Sequence, residues 1–335
     1  MIVIENFSLR LLNTFGIDAS ARYFSTFEDA GQLEQLFDRA SKKKKMILGG
    51  GSNVLFSEDF DGYVLKNEIA GIETVKEDLS HVYIKAGGGE AWHRFVLYCL
   101  ERDLAGVENL SLIPGSVGAA PMQNIGAYGV EIRDVFHDLE AYHIHDKRVV
   151  TLSAADCEFG YRESVFKNKY KNEFVILNVT FRLNKIPEFH TDYGAIKEEL
   201  SKMNEPLSIH AISRAVINIR SSKLPDPKQI GNAGSFFKNP SVSIEKYNEL
   251  KEAHPNMPGY PQPDGTSKIP AAWLIEQCGW KGYRRGDAGC HVRHTLVLVN
   301  YGNATGKEIY ALSEDILDSV VKKFGIVLER EVNVI

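Results

Sequence analysis

Residues 111–129 constrain the fold and the function of this chain more than any other stretch. Glycine or alanine stands at Gly115, Gly118, Ala119, Ala120, Gly126, Ala127 and Gly129, and the stretch contains no charged residue. A backbone with so few side chains can bring its N–H groups directly against a ligand. A glycine-rich surface loop would normally carry charges. The pattern therefore favours a buried cradle for a large cofactor.

Within this stretch, we call residues 113–129 the second ribbon. The first ribbon, residues 48–55, also contains consecutive glycines and follows the short apolar run 46–48. Its glycines stand where a strand would end and a loop begin, and consecutive free amides at such a place form a nest for an anion such as pyrophosphate. Neither familiar nucleotide fingerprint fits, because Val54 stands where G-x-G-x-x-G needs its last glycine. Residues 302–307 are one residue short of a phosphate loop, and we interpret them as a turn before a helix.

The two ribbons together resemble the flavin-binding loops of the UDP-N-acetylenolpyruvoylglucosamine reductases, a family of bacterial cell-wall synthesis, and the similarity runs over nearly the whole chain. It implies an α+β protein with a vanillyl-alcohol-oxidase/PCMH-type FAD-binding fold of two α/β subdomains, followed by a C-terminal α+β substrate-binding domain. It also implies non-covalent FAD, with NADPH as co-substrate. The cofactor-binding residues implied by the resemblance are Gly49, Gly50, Gly51, Ser52, Asn53, Val54, Pro114, Gly115, Ser116, Gly118, Ala119, Gln123, Asn124, Gly126, Ala127 and Tyr128.

The composition of the chain argues against several other classes of protein. The chain has 335 residues, 44% of them hydrophobic and 25% charged, with a net charge of -5, which argues against a nucleic-acid binder. The N-terminus reaches an acid at Glu5, and no apolar stretch approaches the roughly 18 residues of a membrane span. The 4 cysteines are far apart without a C-x-x-C pair. We therefore expect a cytoplasmic monomer with free thiols and no metal, bound to neither nucleic acid nor membrane.

Hydrophobic periodicity predicts a small α/β unit followed by a second α+β unit. The resemblance implies that these are FAD-binding subdomains at 1–68 and 69–215 and that a substrate-binding domain follows at 216–335. Lys42–Lys45 follows a helical pattern and is interpreted as a solvated helix end. The predicted helices span 28–42, 90–102 and 307–324, with a further helix over 209–219 and a short one that begins the segment 271–282. The predicted strands span 46–48, 62–66, 81–86, 135–145, 173–183, 295–299 and 326–332.

Arg162 stands among aromatic residues in the segment 159–167. It could stack on those rings, or its guanidinium fork could grip a substrate carboxylate in a bidentate manner. The resemblance favours the second role, because the family's Tyr-Arg-x-Ser-x-Phe-Lys segment places its arginine at Arg162.

Ser235 lies between a glycine and two phenylalanines, an arrangement that suits a positioned proton donor. Glycine-flanked serines are also common in turns, but the resemblance makes Ser235 the acid. Glu329 and Glu331 would share one face of the predicted strand 326–332. The family's Leu-x-x-Glu-Val ending puts the functional carboxylate at Glu331.

The substrate-binding candidates suggested by the resemblance are Tyr193, Lys223, Asn239, Lys281 and His294. Tyr193 lies in the polar segment 185–206, where a plain turn tyrosine is the alternative. The chain departs from the family at three substrate-side positions, with Ala272 for glycine, His294 for a glutamine of some members and Asn333 for arginine.

The resemblance implies one reaction for these residues. NADPH reduces FAD and NADP leaves, after which the enolpyruvyl ether of UDP-N-acetylglucosamine receives hydride from flavin N5. Arg162 and a protonated Glu331 would stabilise the developing charge, and Ser235 would protonate the neighbouring carbon. The alternative is an alcohol or sugar oxidase of the same fold, which often joins flavin to His or Cys, and 111–129 contains neither. A non-enzymatic flavin or nucleotide-sugar sensor would leave Arg162, Ser235 and Glu331 without a purpose.

Overall fold

In the computed structural model, which describes residues 2–193 and 195–335, the chain folds into two compact units. Unit 1 comprises the segment up to Phe7 together with Ala21–Gly50 and Asp61–Ser222. Unit 2 comprises Ser8–Ser20, Gly51–Phe60 and Lys223–Ile335. Two short N-terminal segments therefore belong with the C-terminal part. The finer boundary at residue 68 stays a prediction.

The chain alternates short strands and helices. The helices are α1 Ala30–Arg39, α2 Trp92–Leu100, α3 Ala154–Cys157, α4 Ile196–Met203, α5 Ile209–Lys223, α6 Ile244–Ala253, α7 Ala271–Gln277 and α8 Gly306–Phe324. The strands are β1 Ile4–Ser8, β2 Ser20–Phe27, β3 Lys44–Leu48, β4 Val54–Leu55, β5 Phe60–Asn67, β6 Ile72–Glu77, β7 His81–Gly87, β8 Gly126–Ala127, β9 Val130–Glu131, β10 Phe136–His143, β11 Arg148–Ser153, β12 Phe174–Asn184, β13 Gly231–Ser235, β14 Ser241–Ser243, β15 Tyr260–Pro261, β16 Thr266–Lys268, β17 Arg284–Arg285, β18 Ala288–Cys290, β19 Val297–Asn300 and β20 Asn333–Val334.

The first sheet of unit 1 has the order β1-β2-β5-β3, with β3 and β5 parallel. Helix α1 begins after Asp29, whose side chain accepts a hydrogen bond from the N–H of Gln32 and so satisfies one free amide of the first turn. Its buried stripe, Leu33 and Leu36, lies in one hydrophobic cluster with Val175 of β12. The two predicted FAD-binding subdomains thus share a core.

The second sheet of unit 1 has the order β11-β10-β12-β7-β6, in which every neighbouring pair is antiparallel. Helix α2 buries Trp92 and Phe95 against Phe181 of β12, and the Phe95 and Phe181 rings lie 4.5 Å apart. Such large aromatic side chains contribute much of the burial energy of a core. This rigid layer supports the 113–129 ribbon, because the N–H of Trp92 bonds the Gly115 carbonyl at the start of that ribbon.

Unit 2 contains the four-stranded sheet β13-β19-β18-β17 and the three-stranded sheet β14-β16-β15. Helix α8 begins at a capping box in which Thr305 and Glu308 bond each other's main-chain N–H groups, and it ends at Gly325 with φ +64. Residues 302–307 are therefore the predicted turn before a helix.

Two sequence-based predictions about local structure were wrong. Helix α1 ends at Arg39, and Lys44 and Lys45 already belong to β3, so the lysine run is not a helix end. Residues 326–332 do not form a strand of that length. They pair with the run 236–238 through a single isolated bridge, between Phe237 and Arg330, and the chain regains regular pairing at β20, parallel to β4.

Among residues 2–193 and 195–335, no helix combines the length and the apolar character needed to cross a bilayer.

Candidate active site

The first glycine ribbon begins where β3 ends. The main-chain N–H groups of Gly50, Gly51 and Ser52 lie outside the strands and donate to no backbone carbonyl of the described residues. Gly51 has φ +62, a conformation that a residue with a side chain rarely adopts. Consecutive unpaired amides around such a residue form an anion nest. This part of the ribbon fits the pyrophosphate of FAD.

Gly49 and Gly50, the residues of the first ribbon that belong to unit 1, lie against Gly115 and Ser116 of the second ribbon. A Cβ atom added to Gly49 would lie 2.4 Å from Ser116 Oγ, and one added to Gly50 would lie 2.9 Å from Gly115 Cα. Both distances are shorter than real contacts allow. The Ser116 hydroxyl can rotate away from Gly49, whereas the obstacle at Gly50 is backbone, so glycine is required at Gly50 for the close approach of one ribbon to the other.

Several main-chain N–H groups of the second ribbon already donate hydrogen bonds within the protein. The N–H groups of Val117 and Gly118 donate to the carbonyls of Glu90 and Gly88, and that of Ala120 donates to Val117. A Cβ on Gly118 would meet Gly88 Cα at 3.0 Å. We expected these amides to approach a ligand, but here they are satisfied by the protein. The physical reason is that a 3-10 turn at Val117–Ala119 packs against the glycines that follow β7.

Asn124, a candidate cofactor contact, has its side chain committed to the fold. It is fully buried, and its Nδ2 donates to Glu131 Oε2 at 2.9 Å and to the Gly160 carbonyl at 3.0 Å. Its Oδ1 accepts the Arg133 N–H at 3.2 Å. Asn124 thus joins the ribbon to the segment that carries Arg162, so its side chain shapes the site instead of facing a ligand.

Arg162 lies at the second ribbon. Its φ is +57, and its Nη2 donates to the Gly126 carbonyl at 2.7 Å. The guanidinium carbon is 5.9 Å from the centre of the Tyr161 ring, at the outer limit of a cation–π contact. The strained backbone and the direct ribbon contact favour a role at the site over simple stacking.

Arg220 was not among our sequence-based candidates. It lies near the end of α5, and its Nε donates to the Leu112 carbonyl at 3.3 Å. Burial lowers the pKa of Arg220, and the nearby positive charge of Arg162 lowers it further. Two cations held close together favour an anionic partner. The sequence feature that could have identified Arg220 is its position directly after the buried residue Ile219 on an apolar helix.

Tyr193 lies close to Tyr128 of the ribbon. The two rings meet edge to face, with centroids 5.9 Å apart and an interplanar angle of 86°. Tyr193 is 59% exposed, so most of its ring remains accessible to a ligand.

Unit 2 brings Ser235 and Glu331 together. Strand β13 ends at Ser235, which pairs with Val297 after the φ +69 turn of Gly234. The N–H of Glu331 donates to the carbonyl of Phe236, the next residue after Ser235, at 2.8 Å. The Glu331 carbonyl in turn accepts a bond from Asn53 Nδ2 at 3.2 Å. Glu329 instead forms an ion pair with Lys238 and is largely exposed, which agrees with its predicted solvent-facing position.

Lys223, His291 and His294 form a basic group in unit 2. Burial lowers the pKa of His294, and neighbouring His291 and Lys223 lower it further. The Nδ1 atoms of both histidines are buried without a hydrogen-bond partner among the described residues. The Lys223 ammonium and the histidine N–H groups can donate hydrogen bonds, so this group suits an anionic ligand such as a phosphate.

The remaining substrate candidates have partners within the protein. Asn239 Oδ1 accepts the N–H of Ala271, the first residue of α7, at 2.9 Å. Lys281 forms an exposed ion pair with Glu276 at 2.8 Å. Asn333, where the family has arginine, bonds the Asn53 carbonyl at 3.0 Å and so holds the first ribbon.

Comparisons with known proteins agree with this geometry. Residues 22–153 match the sequence model of an FAD binding domain, and residues 226–335 match that of the UDP-N-acetylenolpyruvoylglucosamine reductase C-terminal domain. The chain is 52% identical to the UDP-N-acetylenolpyruvoylglucosamine reductase of Amoebophilus asiaticus, covering 99% of this chain and 98% of the relative. It is 47% identical to that of Flavobacterium johnsoniae over the full length of both. The crystal structure of the reductase from Thermus caldophilus shares the fold, with a TM-score of 0.66, 24% identity and coverage of 99% and 98% of the two chains. The fold class expected from the sequence is thereby confirmed.

Proposed function

Because the chain belongs to the UDP-N-acetylenolpyruvoylglucosamine reductase family of FAD-containing oxidoreductases, as its resemblance to that family predicted, we propose that it reduces the enolpyruvyl ether of UDP-N-acetylglucosamine to UDP-N-acetylmuramate. NADPH would be the electron donor, and the product would serve peptidoglycan precursor synthesis. NADPH and UDP-sugars are cytoplasmic metabolites, so we propose that the enzyme acts there. The observation that carries the proposal is the Ser235–Glu331 pair in the part of the chain that matches the family's C-terminal domain.

FAD, when bound, would supply hydride transfer from NADPH to the terminal carbon of the enolpyruvyl double bond. The nest at Gly50–Ser52 would hold its pyrophosphate, and the tightly packed ribbons would exclude water around it. Arg220 offers a buried positive charge near the ribbon, which would favour an anionic group. The Leu112 carbonyl, which accepts a hydrogen bond from Arg220 Nε, orients that guanidinium.

Arg162 would bind the substrate carboxylate. Hydride addition to the terminal carbon moves the electron pair of the double bond onto the carbon that bears the carboxylate, and so into the carboxylate, and a fixed guanidinium stabilises this charge more as it grows. The Gly126 carbonyl holds one nitrogen of the fork in place at 2.7 Å, which limits the reorganisation needed during reaction.

Ser235 would donate the proton to the carbon beside the carboxylate. A serine is a weak acid, but it needs only to match a strongly basic enolate. Glu331, positioned by the Phe236 carbonyl, would act as a protonated hydrogen-bond donor to the same developing charge. Lys223 and His294 would bind the diphosphate of the nucleotide sugar.

Stopped-flow spectroscopy tests the proposal against the oxidase alternative. The yellow protein is reduced with NADPH and then mixed either with the enolpyruvyl substrate or with oxygen. We expect the substrate to reoxidise the flavin much faster than oxygen, with formation of UDP-N-acetylmuramate. Faster reoxidation by oxygen, or flavin that stays with the denatured protein after boiling, would contradict the proposal.

A further inference from the structure

Asn109 is a buried residue of unit 1 that none of the roles above includes. Its Nδ2 donates both hydrogens to main-chain carbonyls, to Tyr128 at 3.0 Å and to His190 at 2.8 Å. Tyr128 belongs to the 113–129 ribbon, whereas His190 lies in the segment 186–193, which has no helix or strand and ends at Tyr193. One side-chain amide therefore connects the ribbon to the segment that carries Tyr193.

The tyrosine rings alone hold that segment weakly. An edge-to-face contact between two rings is a weak restraint, and Tyr193 is more than half exposed. The Asn109 side chain is buried, and both of its bonds go to main-chain carbonyls, so they fix the backbone on both sides directly. The two bonds of Asn109 are therefore the stronger determinant of where Tyr193 lies relative to Tyr128.

The turn that carries Asn109 is itself firmly held. It is the 3-10 turn Glu108–Leu110, and the Glu108 carboxylate accepts the Gly106 N–H at 2.6 Å. Ser111 Oγ donates to the Glu108 carbonyl at 2.7 Å and lies 2.8 Å from Ser213 Oγ of α5. A side chain on such a support can fix the position of another residue, as a second layer of contacts does in a preorganised site.

We propose that Asn109 is a positioning residue for the substrate and that it acts through Tyr193. This inference rests on the proposed function, in which Tyr193 contacts the nucleotide sugar. Asn109 holds the 186–193 segment beside the ribbon before the substrate arrives, so that less ordering is required on binding.

Hydrogen exchange tests the connection without any substrate. Asn109→Asp keeps the shape of the side chain but replaces the donor group by a carboxylate facing two carbonyls. We expect faster exchange in a peptide covering 186–193 and unchanged exchange in a peptide covering α2. Ser111→Ala is the matched control, since it removes a neighbouring buried hydrogen bond without touching His190. Unchanged exchange at 186–193 in both Asn109→Asp and Asn109→Ala would overturn the proposal.

A double-mutant cycle tests the route through Tyr193. We expect Asn109→Ala and Tyr193→Ala each to raise KM for the enolpyruvyl substrate by about tenfold, the effect of roughly 1.4 kcal/mol. Flavin content and reduction by NADPH should remain normal. The double variant should be no worse than either single variant. Additive losses, or a damaged NADPH half-reaction in Asn109→Ala, would overturn the proposal. A wild-type protein that does not reduce this substrate would instead overturn the proposed function, and hydrogen exchange would then decide the role of Asn109 alone.

Discussion

The main-chain N–H of Glu331 donates a hydrogen bond to the carbonyl of Phe236 at 2.8 Å. This bond places two proposed catalytic residues, Glu331 and Ser235, on neighbouring segments although they are far apart in the sequence. Because the backbone makes the connection, either side chain can be replaced without breaking it. Substitutions at Ser235 and Glu331 should therefore report on chemistry more than on folding.

Ser235→Ala should separate hydride transfer from proton transfer. NADPH should still bleach the flavin at a near-normal rate, whereas reoxidation by the enolpyruvyl substrate should slow by about 10²- to 10⁴-fold, the usual contribution of a general acid. Stopped-flow absorbance measures both steps. Ser235→Cys keeps a proton donor of similar shape and should retain more activity than alanine. If alanine reoxidises as fast as wild type, Ser235 is not the acid.

Arg162→Ala should weaken substrate reduction and leave flavin reduction by NADPH intact. A charge-assisted hydrogen bond contributes about 1.5–3 kcal/mol, which corresponds to a loss of roughly 10- to 100-fold in kcat/KM. Arg162→Lys retains the charge but not the fork, so it should recover only part of this loss. Steady-state kinetics measures kcat/KM of both variants, and single-turnover experiments measure the reduction of their flavin by NADPH. Equal damage to the two half-reactions would assign Arg162 to the flavin or the fold.

Gly50→Ala should reduce FAD binding. The new methyl group would lie 2.9 Å from Gly115 Cα and would force the two ribbons apart. Overpacking of this kind costs about 1–3 kcal/mol, so we expect FAD affinity to fall by roughly 5- to 100-fold. Fluorescence titration of the apoprotein with FAD measures the change. Gly160→Ala is the control, because its methyl would meet Glu163 Cβ at an ordinary 3.5 Å. Equal affinity in the two variants would refute the ribbon contact.

His294 should make the protein less stable at mildly acidic pH. In the folded protein, burial lowers the pKa of His294 below its ordinary value of 6.5. The unfolded chain therefore binds more protons than the folded chain below about pH 6.5. Stability should then fall as the pH drops through this value. His294→Gln should reduce the difference in Tm between pH 7.5 and pH 5.5. An unchanged difference in His294→Gln would argue against this titration.

Local sequence determined a large part of what this protein is. The uncharged glycine ribbons, the segment around Arg162 and the glycine-flanked Ser235 each consist of adjacent residues. Their composition predicted a cofactor cradle, and the family resemblance that these motifs carry predicted the flavoprotein fold. The turn before α8 was also predictable from local sequence, since its capping box is complete within Thr305–Glu308.

Only the tertiary structure decided which groups meet. Gly118 packs on Gly88, Arg220 lies near Arg162, and Asn109 bonds His190, and none of these pairs is adjacent in the sequence. The segment 326–332 alternates like a strand but makes only an isolated bridge, between Arg330 and Phe237, among the described residues. Periodicity records which side of a segment is buried, whereas hydrogen-bond partners are selected by distant parts of the chain as they pack together.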